Sequence, residues 1–163
     1  MPITTMHSST APAILSAVQN TLSTKGLSSV TVVGHSLGAA LALLDGVFLS
    51  LQLPENVTVK VTSYGMPRVG NQAFADFVDS QLSGRVTHVN NQEDPVPVVL
   101  GEFLGFHHPS GEIHILDSGA WDACPGAFLL HAFACRSFRS IGLCLMLRKL
   151  FRSRQSFRLV HRR

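Results

Sequence analysis

The chain contains the segment Val30-Thr31-Val32-Val33-Gly34-His35-Ser36-Leu37-Gly38, which indicates its fold class more strongly than any other part of the sequence. An apolar strand comes first, a G-x-S-x-G turn follows it, and a segment with a helical apolar stripe continues to Leu51. Strand, turn and helix in this order are the setting in which a G-x-S-x-G pattern presents a reactive serine. The sequence therefore predicts that Ser36 is a nucleophile at a sharp strand-to-helix turn.

The residue types in the turn suit that chemistry. A serine hydroxyl is a poor nucleophile unless a base can reach it and backbone N–H groups can stabilise the developing oxyanion. Gly34 and Gly38 lack a Cβ, so we expect the strand and helix backbones to approach closely while Ser36 adopts a strained conformation. The N–H of Leu37, at the start of the helix, is the predicted oxyanion donor.

Amphipathic segments flank the strand and the turn. Before the strand, apolar residues recur at helical spacing from Ile14 to Leu22, and the pattern ends near Lys25-Gly26. After the turn, Pro54 closes a second helix. The apolar residues of this second helix recur at spacings of three and four and are predicted to face the core. They are Leu37, Ala40, Leu41, Leu44, Val47, Phe48 and Leu51.

Strands and helices continue to alternate after Pro54. Val57 to Val61 alternates apolar with polar residues, which predicts a half-buried strand. Asn71 is the predicted N-cap of a third helix with an apolar stripe from Phe74 to Leu82, and Arg85 to Val89 is a further short strand. This alternation implies an α/β fold with a mostly parallel sheet flanked by helices.

An acidic residue follows the last of these strands. Asp94 lies in a loop just before Pro95, at the carboxyl end of a strand, where open α/β sheets place their sites. Pro95 and Pro97 restrict the backbone around it. A carboxylate held in this way can orient a histidine and stabilise its imidazolium. Glu93 is an alternative acid that the local pattern leaves open.

Several motifs in a fixed order carry a family resemblance. They are Gly34–Gly38, Tyr64–Asn71, Asn91–Pro97, Gly105–Pro109 and Gly111–Ile115. Together they resemble the fungal class 3 lipases of the α/β-hydrolase family, over about residues 11 to 126.

The resemblance implies a role for each matching position. Ser36 corresponds to the nucleophile that forms an acyl-enzyme, and Asp94 to the triad acid. The substrates would be lipid esters such as triacylglycerols, met at a lipid–water interface, with no cofactor and no metal. His107 and His108 would belong to a structural loop.

The general base is the member of the triad that the sequence does not supply in its usual context. In α/β-hydrolases the triad follows the chain order Ser, Asp, His, so the base should come after Asp94. The family carries it far downstream in a short Asp-His context, and no such context occurs here. The candidates in that part of the chain are His131 and His161. We expect impaired hydrolysis, and the alternative is a working esterase that recruits one of these two histidines.

The amino-terminal region also departs from the family pattern. About thirty residues precede the strand before Ser36, whereas this fold takes its second oxyanion donor from a loop after an earlier strand. The family is mostly secreted, yet Met1 to Thr10 has neither the basic start nor the apolar stretch of a signal peptide. We therefore expect a partial α/β-hydrolase domain over residues 1–126.

Charge divides the chain into two unlike parts. Residues 1–123 hold four Lys or Arg against ten Asp or Glu, a net charge of −6, whereas residues 124–163 hold nine Lys or Arg and no acid, a net charge of +9. The sequence predicts a basic tail at residues 127–163. A non-enzymatic membrane-surface protein that uses this tail is the alternative function, because a basic amphipathic segment is attracted to anionic lipid. No nucleic-acid partner is expected, since no recognised binding motif accompanies the charge.

Overall fold

The computed structural model describes residues 3–124. Three helices and seven strands alternate along these residues. The helices are α1 (Ile3–Lys25), α2 (Leu37–Gln52) and α3 (Gln72–Gln81). The strands are β1 (Ser29–His35), β2 (Thr58–Tyr64), β3 (Gly70–Asn71), β4 (Val86–Asn91), β5 (Phe106–His107), β6 (Glu112–Ile115) and β7 (Trp121–Ala123). Two short 3₁₀ turns, Val96–Val98 and Glu102–Leu104, lie between β4 and β5.

The main sheet confirms the predicted α/β class. Its five strands lie in the order β1-β2-β4-β6-β7, and the first four run parallel. Strand β7 returns antiparallel to β6, while β3 and β5 form a separate antiparallel pair. Because parallel strands end on the same edge, the segments after β1, β2 and β4 meet at one edge of the sheet.

The helices that pack the sheet begin and end close to the expected positions. Asn71 is the N-cap of α3 as predicted, since its Oδ1 accepts a hydrogen bond from the N–H of Phe74 at 3.0 Å. Helix α1 ends at Lys25 as expected, but it begins at Ile3, well before the apolar stripe, and includes Pro12. Strands β6 and β7 carry too few residues to show a clear period, which is why alternation did not predict them.

One hydrophobic cluster joins the helices to one face of the sheet. Leu43 and Leu49 of α2 are fully buried in it, together with Val59 and Val61 of β2. Two members of the predicted α2 stripe are not in the core, because Leu37 is 52% exposed and Leu51 is 53% exposed. Helix α2 is apolar almost all round, so spacing alone did not identify its buried side.

The opposite face of the sheet is open near β1. Thr31, Val33 and Lys60 point away from the cluster and are exposed, and Val33 is 62% exposed. Within residues 3–124, no helix is both long enough and apolar enough to cross a membrane.

Candidate active site

Ser36 occupies a strained turn between β1 and α2. Its backbone has φ +54° and ψ −126°, in a region that residues with a Cβ rarely adopt. The N–H of Ser36 donates to the carbonyl of Tyr64 at 3.0 Å, and its own carbonyl accepts from the N–H of Ala39 at 2.9 Å. Its hydroxyl does not cap the helix that it precedes. The turn therefore holds Ser36 at the carboxyl edge of the sheet with its side chain not engaged by the helix end.

The two glycines of the turn play different parts. A Cβ placed on Gly34 would collide with the carbonyl group of Gly38 and the Cα of Ala39, so only glycine allows this approach of strand to helix. A Cβ placed on Gly38 would meet no atom within 4 Å. The expected close approach is therefore confirmed at Gly34, whereas the side-chain position of Gly38 faces open space.

Leu37, the predicted oxyanion donor, directly follows Ser36 at the start of α2. Leu37 is the first residue of α2, and the first N–H groups of a helix have no partner within the helix. The helix dipole adds a partial positive charge at this end, which favours a negative oxygen beside the turn. The side chain of Leu37 is exposed, so it does not shield this end of the helix from an incoming substrate.

Asp94 is held against the loop that follows β2. Its Oδ1 accepts from the N–H of Val96 at 2.9 Å, and its N–H donates to the carbonyl of Asn91 at 3.0 Å. Its Oδ2 lies 2.8 Å from the point where a Cβ on Gly65 would stand, so a side chain at Gly65 would displace the carboxylate. Asp94 is half-buried, whereas Glu93 is exposed, and this difference favours Asp94 over Glu93 as the acid.

The sheet brings Ser36, after β1, and Asp94, after β4, to the same edge, on either side of the end of β2. The backbone of Ser36 is bonded to Tyr64, the carboxylate of Asp94 rests on Gly65, and Gly65 itself donates to the carbonyl of Val89 at 2.9 Å. Two consecutive residues at the end of β2 thus contact the two predicted site residues. Both residues therefore lie at the carboxyl edge of the sheet, where open α/β folds place their sites.

Histidine rings have several different surroundings. His35 Nε2 is 3.9 Å from the same Gly65 Cβ position that Asp94 approaches, but among residues 3–124 no ring forms a hydrogen bond with the Asp94 carboxylate. His7 of α1 pairs with Asp45 of α2 at 3.2 Å, and burial raises the pKa of Asp45 while His7 opposes that shift. The two predicted base candidates, His131 and His161, lie outside the described residues, as does the basic tail.

Sequence reasoning missed the burial of His88 behind the Asp94 loop, and the resemblance implied only that its half-buried neighbour His108 belongs to a structural loop. His88 of β4 is fully buried, and its ring stacks on that of His108 with 5.0 Å between the ring centroids. Burial lowers the pKa of His88, and burial together with the neighbouring His88 lowers the pKa of His108 to about 3. Position 88 shares its face of β4 with the buried Val86, and this was the available sign that it is a core position.

Residues 3–124 contain no group of three or more His, Cys, Asp or Glu side chains that could hold a metal ion.

Comparison with known proteins agrees with this geometry. The family described as Lipase (class 3) matches residues 3–103. The secreted mono- and diacylglycerol lipase LIP4 of Malassezia restricta is 44% identical over 99 residues, which are 60% of this chain and 33% of that protein. The corresponding lipase MDL2 of Malassezia globosa is 40% identical over 109 residues, or 66% of this chain and 36% of that protein. The chain therefore spans about a third of the length of these relatives.

Solved fungal lipases share the fold. Lipase II from Rhizopus niveus superposes with a TM-score of 0.70 at 28% identity, covering 85% of this chain and 54% of its own. The Rhizomucor miehei lipase in its propeptide complex superposes with a TM-score of 0.65 at 30% identity, covering 73% of this chain and 39% of its own. With the serine turn, the parallel sheet and the family match in agreement, this chain belongs to the class 3 lipase family and has its α/β-hydrolase fold.

Proposed function

We propose that this chain carries the nucleophile and the acid of a serine ester hydrolase. The observation that supports this most strongly is the strained turn at Ser36, with φ +54°, hydrogen-bonded to Tyr64 beside the residue that Asp94 contacts. Strain at a residue with a Cβ is a feature of functional sites, since packing alone gives no reason to keep it.

The reaction follows from the positions of these groups. The Ser36 oxygen attacks the carbonyl carbon of an ester, and its proton passes to a base. The N–H of Leu37 donates to the resulting oxyanion, which collapses to an acyl-enzyme as the protonated base gives its proton to the leaving alcohol. Water then attacks the acyl group and passes a proton to the same base, and the carboxylic acid leaves as that proton returns to the Ser36 oxygen. Asp94 orients the base and stabilises its charged form.

The base sets the expected rate. In a well-studied serine protease, loss of the catalytic histidine lowers turnover on the order of 10⁶-fold, and the rest of the site retains about 10³- to 10⁴-fold acceleration over water. Among residues 3–124 no histidine is hydrogen-bonded to Asp94. We therefore propose weak hydrolysis by this chain, with His131 and His161 as the weak candidates for a recruited base.

The substrate class is a lipid ester. The relatives are described as mono- and diacylglycerol lipases, which supports acylglycerols as substrates for this chain as well. The loop after Asp94 carries Val99, Leu100, Phe103 and Leu104, all exposed, and Phe103 is 81% exposed. Exposed apolar side chains in the segment that follows the acid suit contact with acyl chains at a lipid–water interface.

Two measurements test the proposal. The first is hydrolysis of a short-chain nitrophenyl ester, and the second is fluorophosphonate labelling, with the labelled residue identified by peptide mass spectrometry. We expect slow turnover and a label on Ser36, both abolished in Ser36→Ala and unchanged in Ser50→Ala. Asp94→Asn should reduce labelling more than the exposed-site control Asp117→Asn. A label on another residue, or equal labelling of Ser36→Ala, would contradict the proposal.

The recruited-base alternative is tested in the same assay. If His131 or His161 serves as the base, His131→Gln or His161→Gln should lower turnover by orders of magnitude. If neither substitution changes the rate, the slow turnover proceeds without them.

A further inference from the structure

Behind the Asp94 loop, two imidazole rings form a stacked pair in the protein interior. His88 comes from β4, and His108 comes from the segment between β5 and β6. Their planes are inclined by 18°, with 5.0 Å between the ring centroids. His88 is fully buried and His108 is half-buried. The ester-cleaving chemistry proposed above uses neither ring.

The hydrogen bonds of the pair determine its tautomers. His88 Nε2 is 3.0 Å from the carbonyl oxygen of Pro109, and His108 Nε2 is 2.9 Å from the carbonyl oxygen of Pro97. A carbonyl oxygen can only accept, so Nε2 must carry the proton in both rings. The Nδ1 atoms of both rings are buried and have no hydrogen-bond partner within residues 3–124. Each ring therefore fits this place as a neutral imidazole.

The bond to Pro97 connects the pair to the triad acid. Pro97 lies in the 3₁₀ turn Val96–Val98, which begins two residues after Asp94. The N–H of Val96, in the same turn, donates to Asp94 Oδ1 at 2.9 Å. The turn is thus bonded on one side to the Asp94 carboxylate and on the other to the His108 ring. If this turn shifts, the Val96 N–H that donates to Asp94 Oδ1 shifts with it.

A second side chain holds the same turn. Arg68 Nη1 donates to the carbonyl oxygen of Val98 at 3.3 Å, and its Nη2 pairs with Glu102 at 3.4 Å. His108 and Arg68 therefore bind adjacent carbonyl groups, one as a neutral donor and the other as a cation. Since Arg68 already supplies a positive charge here, a second one on His108 would be repelled.

We propose that His108, supported by the stacked ring of His88, is a positioning residue for Asp94 and holds the turn Val96–Val98 through its bond to Pro97. This assignment rests on the proposed function, because Asp94 matters as an acid only there. The same contacts make the position of the turn sensitive to acid, since a protonated ring would bury a second N–H without an acceptor.

The charges around the pair define the direction of that sensitivity. Glu112 of β6 and Asp79 of α3 face His88 and favour its charged form, but burial outweighs them and lowers its pKa. Burial, with smaller contributions from the facing His88 and Arg68, lowers the pKa of His108 from 6.5 to about 3. A folded-state pKa below the unfolded value means that folding releases protons. The contribution of neutral His108 to the stability of the folded state is therefore fully present above pH 6.5, and it is lost as the pH falls from 6.5 towards 3.

Amide hydrogen exchange measured by NMR on the full chain tests this inference. The probe is the N–H of Val96, and the reference is the N–H of Val61, which donates to Arg85 in the core. In the wild type, protection of Val96 should fall up to about tenfold for each pH unit below 6.5, while Val61 stays protected. His108→Gln can donate to Pro97 without titrating, so it should keep Val96 protected at pH 5.

Two further variants make the test specific. His108→Phe keeps a stacked ring but cannot donate, so Val96 should exchange about tenfold faster at pH 7 with Val61 unchanged. His107→Gln, at the neighbouring position, should behave like the wild type. Equal protection of the Val96 N–H in His108→Phe and in the wild type would overturn the inference. So would a result in which the Val96 N–H loses protection only when the Val61 N–H loses it as well.

The ring tautomers give a readout that needs no variant. Imidazole ¹⁵N shifts should show both His88 and His108 neutral with the proton on Nε2 at pH 7, and a proton on Nδ1 of His108 would overturn the inference. None of these measurements requires ester hydrolysis. An inactive chain with the expected exchange pattern would contradict the proposed function alone, and an active chain without that pattern would contradict the positioning role alone.

Discussion

Ser36 is held in its unusual conformation from both sides. Its N–H bonds to Tyr64 on β2, and its carbonyl bonds to Ala39 in the first turn of α2. The missing Cβ at Gly34 lets the strand and helix backbones approach closely enough to form both bonds. Strain of this kind costs about 1–3 kcal/mol and persists because the surrounding structure over-determines it.

Replacing Gly34 tests the close approach of strand and helix. In Gly34→Ala the new Cβ would meet the backbone of Gly38 and Ala39, which cannot move aside as a flexible side chain can. We expect a loss of about 2 kcal/mol or more in the free energy of unfolding, measured by urea denaturation. Gly38→Ala is the matched control, because its Cβ meets nothing within 4 Å, and it should change stability by less than ~1 kcal/mol. Equal losses in both variants would contradict the contact.

Removing the side chain of Ser36 altogether should release the strain. Ser36→Gly allows φ +54° at no steric cost, so its free energy of unfolding should rise by about 1 kcal/mol. Ser36→Ala keeps a Cβ and should show no such gain. The denaturant midpoints of the two variants measure this difference in stability. If Ser36→Gly is no more stable than Ser36→Ala, the turn is not strained.

At the scale of elements, the strongest sequence patterns gave the best predictions. The strand and helix around Ser36 and the N-cap at Asn71 were predictable because each depends on a few neighbouring residues. The buried side of α2 was not predictable from the sequence, because an almost uniformly apolar helix has no polar face to mark the side that contacts solvent. The small strands β5 and β7 form through pairing with distant partners and leave no local period.

The N-cap of α3 gives a direct test at this scale. Asn71→Ala removes the acceptor for the N–H of Phe74, and we expect a loss of about 1 kcal/mol in the free energy of unfolding. Asn20→Ala is the control, because Asn20 is exposed within α1 and alanine favours helices. If Asn71→Ala is as stable as Asn20→Ala, the cap contributes nothing to folding.

At the scale of the whole molecule, the described residues form one core and bring the site residues together. The positions of Ser36 and Asp94 at one sheet edge could be predicted, because parallel strands end together. The stacking of the two histidines could not be predicted, because it joins His88 on β4 with His108 twenty residues later, and no local motif relates the two positions. The predicted domain 1–126 and basic tail 127–163 remain predictions.

Removing the tail tests that division. A chain ending at residue 126 has four Lys or Arg against ten Asp or Glu, so its net charge is −6 instead of +3. We expect it to keep its circular dichroism spectrum and its cooperative unfolding, because the described core lies before this point. It should also stop co-sedimenting with anionic liposomes if the intact chain does so. Loss of cooperative unfolding would show that the tail is part of the domain.

Rescue by added imidazole tests the central claim most directly. If Ser36, Leu37 and Asp94 form an ester-cleaving site without an effective base, imidazole in solution should take the proton from Ser36. The wild type should then hydrolyse a nitrophenyl ester faster with rising imidazole, above the background measured with Ser36→Ala, and Asp94→Asn should show a smaller gain. Identical imidazole dependence in the wild type and Ser36→Ala would contradict the claim that Ser36 is the nucleophile.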